Sequence, residues 1–342
     1  MRIALATVQV PFIRGGAELL ASGLSAALVE NGHHVDTVTM PFRFFPAREV
    51  ERSLIAWEAE DFTDLNLMAP DLVLPLKFPA YMLKHPRKIC WLAHQHRDVY
   101  DDNETCNATQ ERQALRERIM AADVHHLRTC RKIFTISQTV SDRLRRYNGL
   151  DSEPLYHPPP AAGQYYSGDI RPYVFCPSRI ETIKRQTLLI EAIAHLRSPV
   201  AVLFAGMGGQ YGALRDLVAQ RRLTDRVRLL GEITREELAS FYAHALAVFF
   251  GPRDEDYGYV TLEAMVAGRA VITCSDSGGP LEFVDEGVTG RVVAPEPKAI
   301  AEAIDQLYYD RRRAVAFGRA GYDKYQTLGM TWKHVVEKLL AA

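Results

Sequence analysis

The chain has 342 residues, 47% of them hydrophobic, with 41 Lys and Arg against 42 Asp and Glu for a formal charge of -1. That length calls for two domains with a core each, and the balanced charge excludes a broad basic face for nucleic acid. The five Cys are odd in number and lack Cys-x-x-Cys spacing, which speaks against a disulfide framework or a structural zinc and for a reducing compartment.

The first residues, RIALATVQV, form a short apolar run that reads as a buried parallel strand. A helix follows, with Leu19, Leu20, Leu24, Ala27 and Leu28 as its apolar stripe and Asn31-Gly32 as its end. VDTVTM is the next strand, which completes a βαβ unit with Gly15-Gly16 at the first strand-to-helix loop. The full Gly-x-Gly-x-x-Gly fingerprint and the acid at the second strand end are missing, so a dinucleotide-dependent dehydrogenase fits poorly. Strand-like runs at 71–76, 88–94 and 132–138 alternate with helices, notably over 109–130 and from Ser137 onward, as in a doubly wound sheet. No stretch has the length of a membrane-spanning helix, and the N-terminus lacks a leader's apolar core, so a cytoplasmic protein, at most peripheral at the inner membrane face, is expected. The basic clusters at 84–88, 128–132 and 143–146 read as solvated faces, with an anionic acceptor or membrane surface as the alternative.

Residues 156–172, rich in Pro, Gly and small side chains, read as a linker, after which the strand–helix alternation restarts. Strands are expected at 173–180, 200–209, 227–233, 247–252, 270–276 and 290–295. Helices fall between them, one opened by Thr234 with Glu237 in a capping box and one beginning at Pro297. The final stretch, 329–342, is amphipathic.

Chemistry gathers on the loops of this second half. DEDYGYVTLEAMVAG, residues 254–268, follows an apolar strand and opens a helix that Gly268 ends. Tyr259 and Val260 lie at the helix N-terminus, where free N–H groups and the helix dipole suit a phosphate, and Gly258 permits close backbone approach. Glu255 and Glu263 are acceptors for the hydroxyls of a ribose and a hexose. Arg179 and Lys184 follow the first strand of this half, with the opposed cations that a diphosphate needs. Arg185 reads as a surface neighbour. Gly206 and Gly208 border a nucleotide or form a strand-ending turn. Gly278 and Gly279 offer N–H groups to sugar or phosphate, and Glu282 touches ligand or caps its helix. His94 and His96, placed on one strand face, could make a metal site with Asp98, but a third well-spaced ligand is not evident. His125 and His126 read as structural.

The Glu255-x7-Glu263 block, with its aromatic-Gly pair, its Glu-Ala-Met and the later SGGPLEFV, resembles glycosyltransferase family 4. The resemblance implies a retaining, nucleotide-sugar-dependent enzyme of GT-B architecture: two Rossmann-like domains facing a central cleft, with the C-terminal helix crossing back to the first. The domains expected are 1–160 for the acceptor, 161–322 for the donor and 323–342 for the returning helix. Arg179 and Lys184 match the family's Arg-x4-Lys, and Gly15, Gly16, Ala17 and Glu18 match its N-terminal Gly-Gly-x-Glu near the donor phosphate. His94 matches a histidine near the donor sugar and acceptor, and Glu232-Ile233 the segment whose backbone reads the base. The site implied is therefore Glu255, Arg179, Lys184 and His94 for catalysis. Gly15, Gly16, Gly206, Gly208, Ile233, Gly258, Tyr259, Val260 and Glu263 hold the donor, a UDP- or GDP-sugar. No tightly bound cofactor or metal is expected, although Asp254-Glu255-Asp256 has an outward likeness to the Asp-x-Asp metal motif of the other glycosyltransferase architecture. The implied acceptor is a glycan, a lipid-linked sugar or a small-molecule hydroxyl, in polysaccharide or glycoconjugate biosynthesis. A sugar-nucleotide epimerase or phosphorylase on the same fold, or a non-catalytic nucleotide-binding module, remains as the alternative.

Overall fold

A computed structural model describes the chain except residues 14, 64–67 and 101–109, so Cys106 lies outside the described residues. The chain divides into two compact units, Met1–His157 with Thr331–Ala342, and Pro158–Met330. The division thus falls at 157/158 and 330/331, where the sequence reading puts 160/161 and 322/323.

The first unit opens with β1 (Arg2–Gln9), whose interior is buried on both faces, as a central parallel strand must be. α1 (Gly16–Glu30) follows, then β2 (His34–Pro41) and α2 (Ala47–Ala59). α1 buries Leu20, Ala21, Leu24, Ala27 and Leu28, whereas Leu19 is 41% exposed, so the stripe is turned by one residue from that read in the sequence. The helix ends as expected, with Asn31 capping Ala27 and Gly32 at φ +82. β3 (Leu72–Pro75), β4 (Ile89–Leu92), α3 (Arg97–Tyr100), α4 (Gln110–Leu127), β5 (Lys132–Thr135), α5 (Gln138–Asn148) and β6 (Glu153–Pro154) complete the series. The strands form two parallel ladders, β2-β1-β3 and β4-β5-β6, linked by a parallel bridge from Val73 to Lys88. Ser137 caps α5 by accepting from the Val140 N–H, so the expected strand to 138 stops at Thr135. Asp123 is buried and accepts from the Tyr81 and Tyr100 hydroxyls, both at 2.6 Å. Burial pushes its carboxyl up to about 7.

The second unit contains β7 (Tyr173–Pro177), α6 (Gln186–Ile193), β8 (Ala201–Ala205), α7 (Tyr211–Gln220) and β9 (Val227–Leu229). α8 (Arg235–His244), β10 (Ala247–Phe249), α9 (Tyr259–Val266), β11 (Val271–Cys274), α10 (Pro280–Phe283), β12 (Gly290–Val293), α11 (Pro297–Tyr309) and α12 (Arg311–Thr327) follow. The capping box of Thr234 and Glu237 opens α8 as read in the sequence. The strands are parallel in the order β12-β11-β10-β7-β8-β9. Successive residues of a strand face opposite sides, so Val174 joins a core with Leu189, Phe204 and Ile304 while Phe175 joins one with Tyr242, Val248 and Ala264. The chain winds outward one way from β7 and the other way from β10. These two neighbours therefore flank the switch point, and their C-terminal ends open the crevice where such sheets bind ligands.

The last helix, α13 (Trp332–Ala341), belongs to the first unit and buries Val335, Val336 and Leu339. Trp332 lies 6.2 Å from the Trp91 ring and 5.8 Å from that of His157. It also presses on Gly23 of α1, where a Cβ would come within 2.2 Å of the indole.

Candidate functional site

The switch point brings the loops after β7 and β10 side by side. Lys184, on the first, donates to the Glu255 carboxylate on the second. Its ammonium also lies 5.4 Å from the Phe250 ring centroid. Their side chains are 12% and 20% exposed, so the pair is shielded yet open to a ligand. Arg179, on the same loop as Lys184, is 48% exposed and reaches Glu181 only at 3.9 Å, so its guanidinium is little committed. The loops after β7 and β10 thus supply two cations and a carboxylate from sequence positions that share no periodicity.

Gly258 is the N-cap of α9, at φ +89 and with no side chain to cap the helix. A Cβ there would meet Pro280 Cγ at 2.9 Å and Phe250 Cε1 at 3.1 Å, so packing and backbone both call for glycine. Tyr259 and Val260 occupy the first turn, and Glu263 sits one turn on. Glu263 is not a solvated helix residue. Tyr242 of α8 donates to its Oε2 at 2.6 Å, and Tyr165, from the segment after Pro158, is a second donor. Burial raises the Glu263 pKa, and the two phenols offset part of that rise. Neither tyrosine was found from sequence, and the only trace either leaves is that Tyr165 stands in an otherwise Pro- and Gly-rich stretch.

The glycine pairs have intramolecular duties. Gly206, at φ +126, and Gly208 lie against the Ser178–Ile180 backbone, where a Cβ on either would come within 2.3 Å of a carbonyl oxygen. They bring the end of β8 onto the loop that carries Arg179. Gly206 N–H donates to Gly231 O, which ties in the turn before Ile233, a half-buried residue. Gly278 and Gly279 cradle Glu255: a Cβ on Gly278 would lie 2.6 Å from Glu255 O, and Gly279 N–H donates to that oxygen at 2.7 Å. That N–H is spent on the loop and not offered to a ligand, contrary to the sequence reading. Arg185, too, departs from the sequence reading. It is not a surface neighbour but hydrogen bonds to Gly251 O, Pro252 O and Asp276.

In the other unit, Gly15 is the N-cap of α1 and donates to Glu18 Oε2 at 2.8 Å, with Gly16 the first helical residue. Glu18 Oε1 accepts from Lys77 at 2.8 Å. Burial opposes ionisation of Glu18, but Lys77 and the Gly15 N–H together hold its carboxyl below the ordinary range. Lys77 is itself buried and was not singled out from sequence. His94 follows the end of β4 and contacts Gln95 O through Nδ1 at 3.0 Å. His96 stacks on Phe78 at 5.1 Å, and burial pulls its pKa down to about 4. The two histidines are therefore on a loop and not on one strand face. Among the described residues no group of three His, Cys, Asp or Glu side chains is placed to hold a metal.

Residues 166–324 match the family described as Glycosyl transferases group 1. Over 209 residues the chain is 34% identical to a GDP-mannose-dependent alpha-(1-6)-phosphatidylinositol monomannoside mannosyltransferase of Mycobacterium tuberculosis, covering 56% of this chain and 53% of that protein. It is 31% identical over 160 residues to the human alpha-1,3/1,6-mannosyltransferase ALG2, covering 42% of this chain and 38% of that one. The matched region thus spans about half or less of these relatives. The fold is that of sucrose-phosphate synthase from Thermosynechococcus elongatus, with a TM-score of 0.77 at 20% identity over 98% of this chain and 97% of that one. Anabaena Alr3699/HepE, solved with UDP-glucose, gives a TM-score of 0.75 at 16% identity over 99% and 98% of the two chains. Two α/β units with parallel sheets and these neighbours make the architecture GT-B.

Proposed function

We propose, on the premise that residues 166–324 belong to the glycosyl transferases group 1 family, that this protein moves a sugar from a nucleoside-diphosphate sugar to a hydroxyl acceptor with retention at the anomeric carbon. The observation that carries the reading is the Lys184–Glu255 pair at the switch point, with the lightly committed Arg179 beside it. The donor's diphosphate draws Lys184 from Glu255 and engages Arg179, and these cations gain in effect as charge builds on the leaving group. Glu255, released, faces the positive charge that develops at the anomeric carbon. The bond from that carbon to the diphosphate breaks as the acceptor oxygen bonds on the same face, and the departing phosphate oxygen takes the acceptor's proton. Glu263, held by Tyr242 and Tyr165, accepts from the ribose. Gly258, Tyr259 and Val260 present the helix N-terminus to phosphate. Gly206, Gly208 and Ile233 shape the nucleotide's edge, and the family resemblance assigns Gly15, Gly16 and His94 to donor phosphate and acceptor.

The donor is a UDP- or GDP-sugar: GDP-mannose is named for the mycobacterial relative, and UDP-glucose is bound in a structural neighbour. The acceptor is a glycan, a lipid-linked sugar or a small molecule, and the reaction belongs to glycoconjugate or polysaccharide biosynthesis in the cytoplasm, with at most peripheral membrane contact. No helix among the described residues is long and apolar enough to cross a membrane. The test is a thermal-shift screen of nucleotides and nucleotide sugars, because a ligand raises the stability of the state it binds, followed by product analysis with the donor it names. Glycoside product with retained configuration supports the reading. Product without acceptor or a need for inorganic phosphate points to an epimerase or phosphorylase, and binding without turnover to a nucleotide-binding module.

A further inference from the structure

Arg185 stands in a left-handed conformation, φ 51 and ψ 37, between Lys184 and α6. An L residue resists that conformation, which glycine adopts freely. A strained residue beside the central cation calls for a compensating interaction, and the guanidinium supplies four hydrogen bonds. Nε donates to Gly251 O at 2.9 Å and Nη2 to Pro252 O at 2.7 Å. Nη1 and Nη2 grip Asp276 at 2.8 and 2.6 Å in a two-pronged contact that holds the Asp276 carboxyl below its ordinary range.

Those partners lie on two loops, after β10 and β11, which Arg185 ties to its own loop after β7. The same loops are stitched by backbone bonds: Arg253 N–H to Ile183 O at 2.8 Å, Asp254 N–H to Asp276 O at 2.9 Å and Glu255 N–H to Ser277 O at 2.9 Å. Lys184 therefore hangs from a residue fixed to the loop that carries Glu255, and Glu255 from the segment Arg185 fixes through Asp276. A lysine at 185 has neither the fork nor the number of donors to make these contacts.

We propose that Arg185 is a positioning residue that sets where Lys184 meets the donor's diphosphate, and so the preference of the site for a nucleoside diphosphate over the monophosphate. The inference rests on the donor reading given above. Arg185→Gly keeps the backbone conformation and removes the clamp, while Arg185→Lys keeps the charge and loses the fork. Calorimetric titration of wild type and both variants with UDP, UMP, GDP and GMP reads the diphosphate-to-monophosphate affinity ratio for whichever base binds. Expected is a wild-type preference for the diphosphate that shrinks in both variants, by on the order of 10- to 100-fold as for a displaced catalytic group, with monophosphate affinity unchanged. Asp276→Asn should copy the loss, and combining it with Arg185→Gly should add little, because the two share one contact. A ratio that stays at the wild-type value in folded variants overturns the proposal. So does a parallel fall in both affinities and in melting temperature, which marks a merely structural residue. A wild type that binds none of the four nucleotides, or binds diphosphate no better than monophosphate, overturns the donor reading together with the inference.

Discussion

Lys184 and Glu255, 71 residues apart in the chain, neutralise one another across two neighbouring loops. A diphosphate that reaches Lys184 must compete with that carboxylate. Glu255→Gln should therefore tighten nucleoside diphosphate binding several-fold while lowering kcat by on the order of 100-fold or more, the scale for losing one transition-state electrostatic group. Titration beside steady-state kinetics separates the two effects. Unchanged kcat with weaker nucleotide binding would put Glu255 on the nucleotide and not at the reacting carbon.

Arg179→Ala and Lys184→Ala should each cut turnover on the order of 100-fold yet differ in stability. Arg179 is half exposed with only a distant carboxylate neighbour, so its loss should leave the melting temperature nearly unchanged. Removing Lys184 leaves a shielded Glu255 without its cation and should lower the melting temperature. Differential scanning calorimetry checks the contrast, and equal melting temperatures would show that the Lys184–Glu255 pair adds nothing to the fold.

Glu263 carries a pH signature of opposite sign to most carboxylates. Its folded pKa lies above the ordinary 4.5, chiefly through burial. An acid shifted upward weakens the fold when ionised; the cost is full above the folded pKa and vanishes as pH falls below the ordinary one. Glu263→Gln should thus melt no lower than wild type at pH 8, with any advantage closing as pH falls toward 4.5. Donor KM should meanwhile rise on the order of tenfold through loss of a charged acceptor. A variant less stable at pH 8 with unchanged KM would make Glu263 a fold residue held by Tyr242 and Tyr165.

Gly23→Ala tests how α13 is held. Alanine favours a helix by about 1 kcal/mol over glycine, but here its Cβ would meet Trp332 at 2.2 Å, and overpacking costs about 1–3 kcal/mol. Net destabilisation is expected in urea titration. Shortening the opposing side chain, as in Gly23→Ala with Trp332→Leu, should recover part of that overpacking loss relative to Trp332→Leu alone.

The sequence by itself determined the strand–helix alternation, the loops that bear Arg179, Lys184 and Glu255, and the helix that bears Glu263. Each is written locally, in apolar periodicity, in a cap such as Thr234 with Glu237, or in a short block around Gly258. Tertiary structure decided what those residues touch. It alone brought Tyr242 and Tyr165 to Glu263, spent the Gly279 N–H on the Glu255 loop, and turned Arg185 from an apparent surface charge into a clamp on Asp276. The physical reason is the range of the interaction: a helix stripe recurs every few residues, whereas a hydrogen bond between Arg185 and Asp276 spans 91 positions and leaves no period to read.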